Sequence, residues 1–217
     1  MLEIVKYPHP ALRYLSRPVE RIDDGLRSTV RAMFELMYES NGIGLAANQV
    51  ALPFRFFVLN LTADPEEKDQ EQVFINPEIV KRHSSHEGEE GCLSLPGLYS
   101  KVRRPKRIRV RAYDLTGNAF EVDADDLFGR AIQHETDHLD GKLFIDYLEA
   151  PALRTAEEKI REFERTYLQG QREGIIPPDD ELKRRLEEMP RPPMVDLPKP
   201  AVAENESPVE GPPAPTE

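Results

Sequence analysis

His134 and His138 stand four residues apart with Glu135 directly after the first, in the run His134-Glu135-Thr136-Asp137-His138. On a helix, positions i and i+4 share one face with Cβ atoms about 5–6 Å apart, so two imidazoles at this spacing can grip one metal ion. A carboxylate beside the first ligand, not itself needed as a ligand, can act as a base towards a water that the metal activates. The pattern predicts hydrolysis by metal-activated water. It leaves open which bond is broken, because a catalytic site of this kind takes three protein ligands and keeps one position free.

The third ligand is sought by comparing the ways in which two-histidine helices complete their sites. One metalloprotease class places a histidine six residues after the second, with a glycine between. Here Gly141 holds the glycine place, but the last position is Phe144, which excludes that class. Another class draws a glutamate from a following helix; Glu149, Glu157 and Glu158 are available and none is specifically marked. Upstream, Cys92 lies in Glu89-Glu90-Gly91-Cys92-Leu93-Ser94-Leu95-Pro96-Gly97, a constrained extended segment. Alone, a cysteine reads as a small buried hydrophobe. Beside paired histidines it reads as the third member of a Cys-His-His set, whereas His9, His83 and His86 show no ligand pattern. A further segment, Gly42-Ile43-Gly44-Leu45-Ala46-Ala47-Asn48-Gln49-Val50, has glycines that permit close backbone approach and an amide, Gln49, with both a donor and an acceptor. Taken by itself it is equally a glycine turn followed by small core residues.

These groups need a body to hold them, and 217 residues suit one medium domain with extras. The net charge of −11 argues against bulk attraction to nucleic acid, and no specific nucleic-acid partner is expected. The seven Lys/Arg between Lys101 and Arg111 are read as the solvated face of a strand pair, with a local basic patch as the other reading. The single cysteine excludes a disulfide framework within the chain and fits a reducing compartment. The N-terminal residues lack a basic segment followed by an apolar run, and no stretch has the length of a membrane span. The expectation is a cytoplasmic protein without a membrane partner.

Patterning predicts a helix from Asp24, as its cap, to Asn41, with Leu26, Val30, Met33, Phe34 and Met37 inward and Gly42 as its stop. Strand-like runs follow at Phe54–Leu59, Val73–Val80, Ile108–Leu115 and Ala119–Val122, with a hairpin turn at Leu115-Thr116-Gly117-Asn118. The acidic stretch Ala63–Gln70 reads as a surface loop between two strands. Asp125 or Asp126 can cap the histidine helix. Thr155–Gln169 is predicted helical, with an apolar stripe at Ile160, Phe163, Tyr167 and Leu168 and Gly170 as its stop; a short helix over Asp179–Met189 follows. Strands first and a helix last, without regular βαβ alternation, predict an α+β fold: mostly antiparallel strands packed around a metal-binding helix, with a C-terminal helix and a disordered tail. The organisation is read as a catalytic unit over 1–170, a short helical extension over 171–189 and a Pro/Glu-rich tail over 190–217, which has nine prolines and no aromatic residue.

Together the three segments resemble the peptide deformylase family, whose ordered motifs are GφGLAAxQ, with φ an apolar residue, then EGCLS and QHExDH. This chain reads Gly42-Ile43-Gly44-Leu45-Ala46-Ala47-Asn48-Gln49, then Glu90-Gly91-Cys92-Leu93-Ser94, then Gln133-His134-Glu135-Thr136-Asp137-His138. The resemblance covers about residues 1–165 and says nothing of the tail. It implies that Cys92, His134 and His138 bind the metal, ferrous iron in the cell, with zinc, nickel or cobalt as replacements. It implies that Glu135 shuttles the proton, that Gln49 and the Leu93 N–H hold the formyl oxygen, and that Ile43, Gly44 and Gly91 pair with an extended substrate backbone. The implied reaction removes the N-formyl group from the first methionine of new polypeptides and releases formate. N-formylmethionyl peptides and nascent chains are then the substrates. The terminal helix either contacts the ribosome or simply packs on the body. Tyr99 stands where some branches carry an arginine, which bears on subtype. A peptide-bond metallopeptidase shares Glu135 and both histidines but leaves Cys92 and the Gly42–Gln49 segment unexplained. A structural metal module normally has four protein ligands and no use for Glu135.

Overall fold

The computed structural model describes residues 2–190. Apart from Pro190, the tail expected to be disordered lies outside the described residues. The architecture is α+β, as the patterning predicts, with antiparallel strands set against a buried helix.

The first helix, α1 (Asp24–Glu39), is amphipathic, and the five predicted inward residues are its buried ones. Its cap is Asp23, one residue earlier than expected, whose side chain accepts from the Leu26 N–H. Its stop is also displaced. Asn41 takes the left-handed conformation, φ 55°, and Gly42 does not need it. Asparagine tolerates that region better than most side chains, so the turn completes before the glycine.

Strand β1 (Gly44–Ala46) runs into a 3-10 turn at Ala47–Val50. The sheet continues through β2 (Phe56–Leu59), β3 (Gln72–His83), β6 (Arg107–Tyr113) and β7 (Ala119–Asp125), in the order β1-β2-β3-β6-β7, with every neighbouring pair antiparallel. The predicted turn between β6 and β7 is present, with the Asp114 N–H donating to the Asn118 carbonyl and Gly117 at φ 86°. A separate hairpin, β4 (His86–Cys92) and β5 (Leu95–Arg104), forms its own two-stranded sheet. The extended reading of Glu89–Gly97 and the strand-pair reading from Lys101 fall within this hairpin, but its pairing of the two is not among the predicted strand runs; it carries Cys92.

The helix α2 (Asp126–Leu139) carries the histidines, with Asp125 at its cap position. Between α2 and the sheet lies an apolar cluster that includes Phe57, Phe74, Ala131, Ile132 and Leu139. A second cluster fills the space between α1 and the other face of the sheet, and a third joins the hairpin to Leu12, Leu143 and Phe144. The C-terminal helix α3 (Ala150–Arg172) is longer than predicted and passes through Gly170. A Cβ there would lie 2.8 Å from Ile176 Cδ1, so the glycine admits the returning chain instead of ending the helix. The last helix, α4 (Asp179–Glu188), buries Leu182 and Leu186 and is capped by the Arg17 guanidinium, which donates to the Leu186, Glu187 and Met189 carbonyls.

Phe57 is fully buried, with its ring 4.8 Å from that of Phe74, beneath the histidine helix. Phe57→Ala is expected to lower stability by about 3–5 kcal/mol through the cavity it leaves. Urea unfolding should show a reduced midpoint at constant slope; an unchanged midpoint would contradict this packing role.

Candidate active site

Cys92 ends β4, and His134 and His138 project from one face of α2. Their ligand atoms all lie within 4.8 Å of one another, and Cys92 Sγ is 3.2 Å from His138 Nε2. A tetrahedral ion bound by one thiolate and two imidazoles holds its donors roughly 3.3–3.6 Å apart, so the set fits a single ion. His134 Nδ1 lies 3.1 Å from Glu90 Oε2. A proton on Nδ1 facing that carboxylate leaves Nε2 as the free lone pair, the usual arrangement for a metal-binding histidine. Burial, with His134 as the next cause, pushes His138 well below the ordinary histidine value and favours a neutral imidazole. Phe144, which excludes the protease class, is buried in the third apolar cluster with its ring 6.3 Å from that of His134.

Glu135 is buried, and burial pushes its carboxyl up to about 7. Its Oε2 has no hydrogen-bond partner among the described residues. Such an orphan is costly unless a further group meets it, as a water or substrate would here. Gly44 makes room for it: a Cβ at position 44 would lie 2.5 Å from Glu135 Oε1. Gly91 does the same for Tyr99, whose ring carbon would be 2.5 Å from an added Cβ. Gly44 is thus required by the buried Glu135 side chain, whereas the exposed Tyr99 ring beside Gly91 can swing aside.

Gln49 is buried on the 3-10 turn after β1, and its orientation is set. Its Oε1 accepts from the Ala46 N–H at 2.8 Å, which turns Nε2 towards Cys92 Sγ at 3.5 Å and Ser94 Oγ at 3.3 Å. Asn48, beside it, donates to the His138 carbonyl and ties this turn to α2. Leu93 and Ser94 form the two-residue turn between β4 and β5.

A cavity of about 450 Å³ joins these groups; its lining includes Ile43, Gly44, Gln49, Gly91, Cys92 and Glu135. It runs between β1 and β4, each of which pairs with only one other strand. The structure therefore brings all nine sequence-predicted site residues into one neighbourhood. His9 instead accepts from the Ala11 N–H, and His86 Nε2 lies 3.2 Å from Arg130.

Sequence reasoning missed the network behind the site. The Glu90 carboxylate is buried and receives Arg104 at 2.5 and 2.8 Å and Arg130 at 2.6 Å, in addition to His134. Burial alone would raise the Glu90 pKa, but the hydrogen bonds from His134 and Arg104 outweigh it and hold the carboxyl well below its usual range. Arg104 also reaches Asp137 at 2.6 Å, and Asp137 accepts from the Tyr147 hydroxyl at 2.9 Å. Glu90 and Asp137 stand inside the quoted motifs, but nothing in the sequence pairs them with Arg104. That arginine sits in the run read as a solvated strand face. The reading holds for Arg103, Arg109 and Arg111, which pair across strands with Glu87, Asp123 and Glu121, and fails for Arg104.

A three-donor metal cluster, a buried carboxylate beside it and a cleft between two strand edges define a metallohydrolase open to an extended peptide. Comparison with known proteins narrows this class. The family model described as polypeptide deformylase matches residues 1–154. A peptide deformylase of Rhodopirellula baltica is 45% identical over 175 residues, covering 81% of this chain and 87% of its own. One from Pseudomonas aeruginosa is 48% identical over 149 residues, covering 68% and 87%. Among solved structures, a Plasmodium falciparum peptide deformylase superposes with a TM-score of 0.75 at 40% identity, covering 77% of this chain and 98% of its own. One from Synechococcus elongatus, in complex with actinonin, gives 0.70 at 40% identity over 73% and 86%. The chain belongs to the peptide deformylase family. It is a metal-dependent hydrolase that removes the N-formyl group from nascent polypeptides.

Glu90→Gln is expected to weaken metal affinity about 10- to 100-fold, because the His134 Nδ1–H loses its charged acceptor. The same change leaves two buried guanidiniums short of charge and should destabilise the fold by about 3–5 kcal/mol. Competition with a chelator reads the first effect and urea unfolding the second; unaltered affinity would remove Glu90 from metal support.

Proposed function

We propose that this chain carries out deformylation with Cys92, His134 and His138 as the metal ligands and Glu135 as the proton carrier. The observation that carries this assignment is the convergence of the three donor atoms within 4.8 Å beside a buried carboxylate with an unpartnered oxygen. When bound, a divalent ion would lower the pKa of water from about 16 to about 7 and polarise the formyl carbonyl. The substrate backbone enters extended between β1 and β4, pairing with Ile43, Gly44 and Gly91. The formyl oxygen, as it gains negative charge, accepts hydrogen bonds from Gln49 Nε2 and the Leu93 N–H. Glu135 takes one proton from the attacking water and returns it to the amine nitrogen as the C–N bond breaks. The products are formate and a free N-terminal methionine. An aliphatic wall that includes Ile43, Leu127 and Ala131 lines the same cavity and suits a methionine side chain.

We assign ferrous iron as the metal in the cell, with zinc, nickel or cobalt able to replace it. A thiolate with two imidazoles accepts any of these ions, and iron follows from the family. We place the enzyme in the cytoplasm, where nascent chains emerge and a lone thiol stays reduced. No helix of the described residues is long and apolar enough to cross a membrane. We take residues 1–170 as the catalytic unit and 171–189 as a helical extension. For α3 two readings stand, simple packing on the body, where Ala156, Ile160 and Phe163 join the third apolar cluster, and a ribosome contact. The helix buries Ala156 and Tyr167 and leaves Arg154, Arg161 and Arg165 exposed beside Glu157, Glu158 and Glu162, with Arg161 paired to Glu157.

Glu135→Ala should retain metal and lose about 100-fold or more of formate release from a formyl-methionyl peptide. Full activity would remove the assigned base. Cys92→Ala should lose metal on dialysis, and unchanged metal content would exclude the thiolate as a ligand. Cleavage of an internal amide without formate would favour a peptidase. Replacing Arg154, Arg161 and Arg165 together by glutamate should reduce cosedimentation with ribosomes; equal binding would clear α3 of that role.

A further inference from the structure

The two groups assigned to the formyl oxygen come from different sheets. Gln49 follows β1 of the five-stranded sheet, and Leu93 lies in the turn of the β4–β5 hairpin; no strand ladder joins the two sheets. The Gln49 side chain reaches the hairpin through two longer bonds from Nε2, to Cys92 Sγ at 3.5 Å and Ser94 Oγ at 3.3 Å, and the Leu93 side chain packs against the apolar cluster around Leu45 and Ala47. The hairpin turn is also one that local energetics do not favour. Two-residue hairpin loops prefer turns with positive φ, which match the twist of the strands. Neither Leu93 nor Ser94 has a positive φ, so the turn needs support from outside itself.

That support comes from the N-terminal segment. The Val5 N–H donates to the Gln49 carbonyl at 2.9 Å and the Tyr7 N–H to the Ser94 carbonyl at 3.0 Å. Between them Lys6 Nζ donates to the Leu93 carbonyl at 2.8 Å, and Lys6 is part of the cavity wall. Three consecutive residues therefore bind one segment carrying Gln49 and both carbonyls of the turn carrying Leu93. Of these three bonds only that of Lys6 is made by a side chain. We propose that Lys6 is a positioning residue: its ammonium clamps the Leu93 carbonyl and so fixes the turn whose N–H faces the formyl oxygen. Lys6 is exposed, and a hydrogen bond from a charged donor, about twice as strong as a neutral one, suits a clamp at such a rim. The inference rests on the reading of Gln49 and Leu93 as the oxygen-binding pair.

The test compares Lys6→Met, Lys6→Arg and Gln49→Leu in the metal-loaded enzyme, with steady-state deformylation of a formyl-methionyl peptide. Lys6→Met should lower kcat about 10- to 100-fold with KM within about twofold, because a displaced donor is lost mainly in the transition state. Metal content should not change, and amide exchange at residues 93–95 should quicken. Lys6→Arg, which keeps a charged donor, should recover most of kcat. A kcat for Lys6→Met within about twofold of the parent, beside a strongly impaired Gln49→Leu, overturns the role of Lys6 alone. A loss confined to KM overturns it too, since Lys6 would then contact substrate. A kcat loss that arginine does not restore, with unaltered exchange at the turn, likewise overturns it. An unimpaired Gln49→Leu defeats the underlying reading of the oxygen site instead.

Discussion

The buried carboxylate of Glu90 is the interaction on which the rest of the site depends. The β4–β5 hairpin shares no ladder with the five-stranded sheet, so backbone hydrogen bonding does not set its position over α2. Glu90 does so by charge, joining β4 to β5 through Arg104 and to α2 through Arg130 and His134. A carboxylate this deeply buried is stable only with its partners in place, because an isolated one costs several kcal/mol or more to desolvate. The hairpin is therefore held in the arrangement that satisfies all of these contacts at once. Cys92 lies two residues further along the same strand, so the distance from thiol to imidazoles follows from a charge network that contains neither cysteine nor metal.

The parts of this design that were legible in the sequence are those whose spacing is itself chemical. His134, Glu135 and His138 declare a helix face, and Cys92 and Gln49 acquire meaning once that face is given. The long amphipathic helices were also visible, since a period of 3.6 survives errors at either end. What escaped were elements stabilised by tertiary partners. The run His86-Glu87-Gly88-Glu89-Glu90-Gly91 is poor in strand-forming residues, yet it pairs along its length with β5. β1 has only three residues and no alternation to detect. Arg104 looks like its basic neighbours in sequence and differs only in facing Glu90. Gly170 carries a helix-stop signal that is cancelled because Ile176 packs against the space where its side chain would be.

The two glycines nearest the site show why a motif is more than its reactive groups. Gly44 and Gly91 are both assigned to pairing with the substrate backbone, a role any residue can play through its amide. At position 44 glycine is demanded by what lies behind the strand, the buried Glu135 carboxylate; at position 91 the space is taken by the exposed Tyr99 ring, which can move. An alanine at 44 would press on the proton carrier from the groove side. The β1 edge and the Glu135 carboxylate are thus in contact, so a peptide paired with β1 as assigned would pass Glu135.

The chemistry is divided between two pairs of adjacent residues. In one, Cys92 is the assigned ligand and Leu93 the assigned donor; in the other, His134 is the ligand and Glu135 the proton carrier. Within each pair the covalent chain sets the relation of metal to reacting group, because neighbouring Cα atoms across a trans peptide are fixed about 3.8 Å apart. The relation between the pairs, and of both to Gln49 on the turn after β1, is left for folding to determine. That relation needs to be held within about 0.5 Å for efficient catalysis. A hairpin attached by non-directional apolar packing alone would meet this tolerance poorly. Glu90 meets it from the α2 side and the segment Val5–Tyr7 from the opposite side, where it bonds to Gln49 and to both turn carbonyls. The apolar cluster of Leu95, Leu98 and Val102 with Leu143 and Phe144 seats the hairpin, and these polar contacts, one on its strand and one at its turn, fix the ends of the segment that carries the thiol.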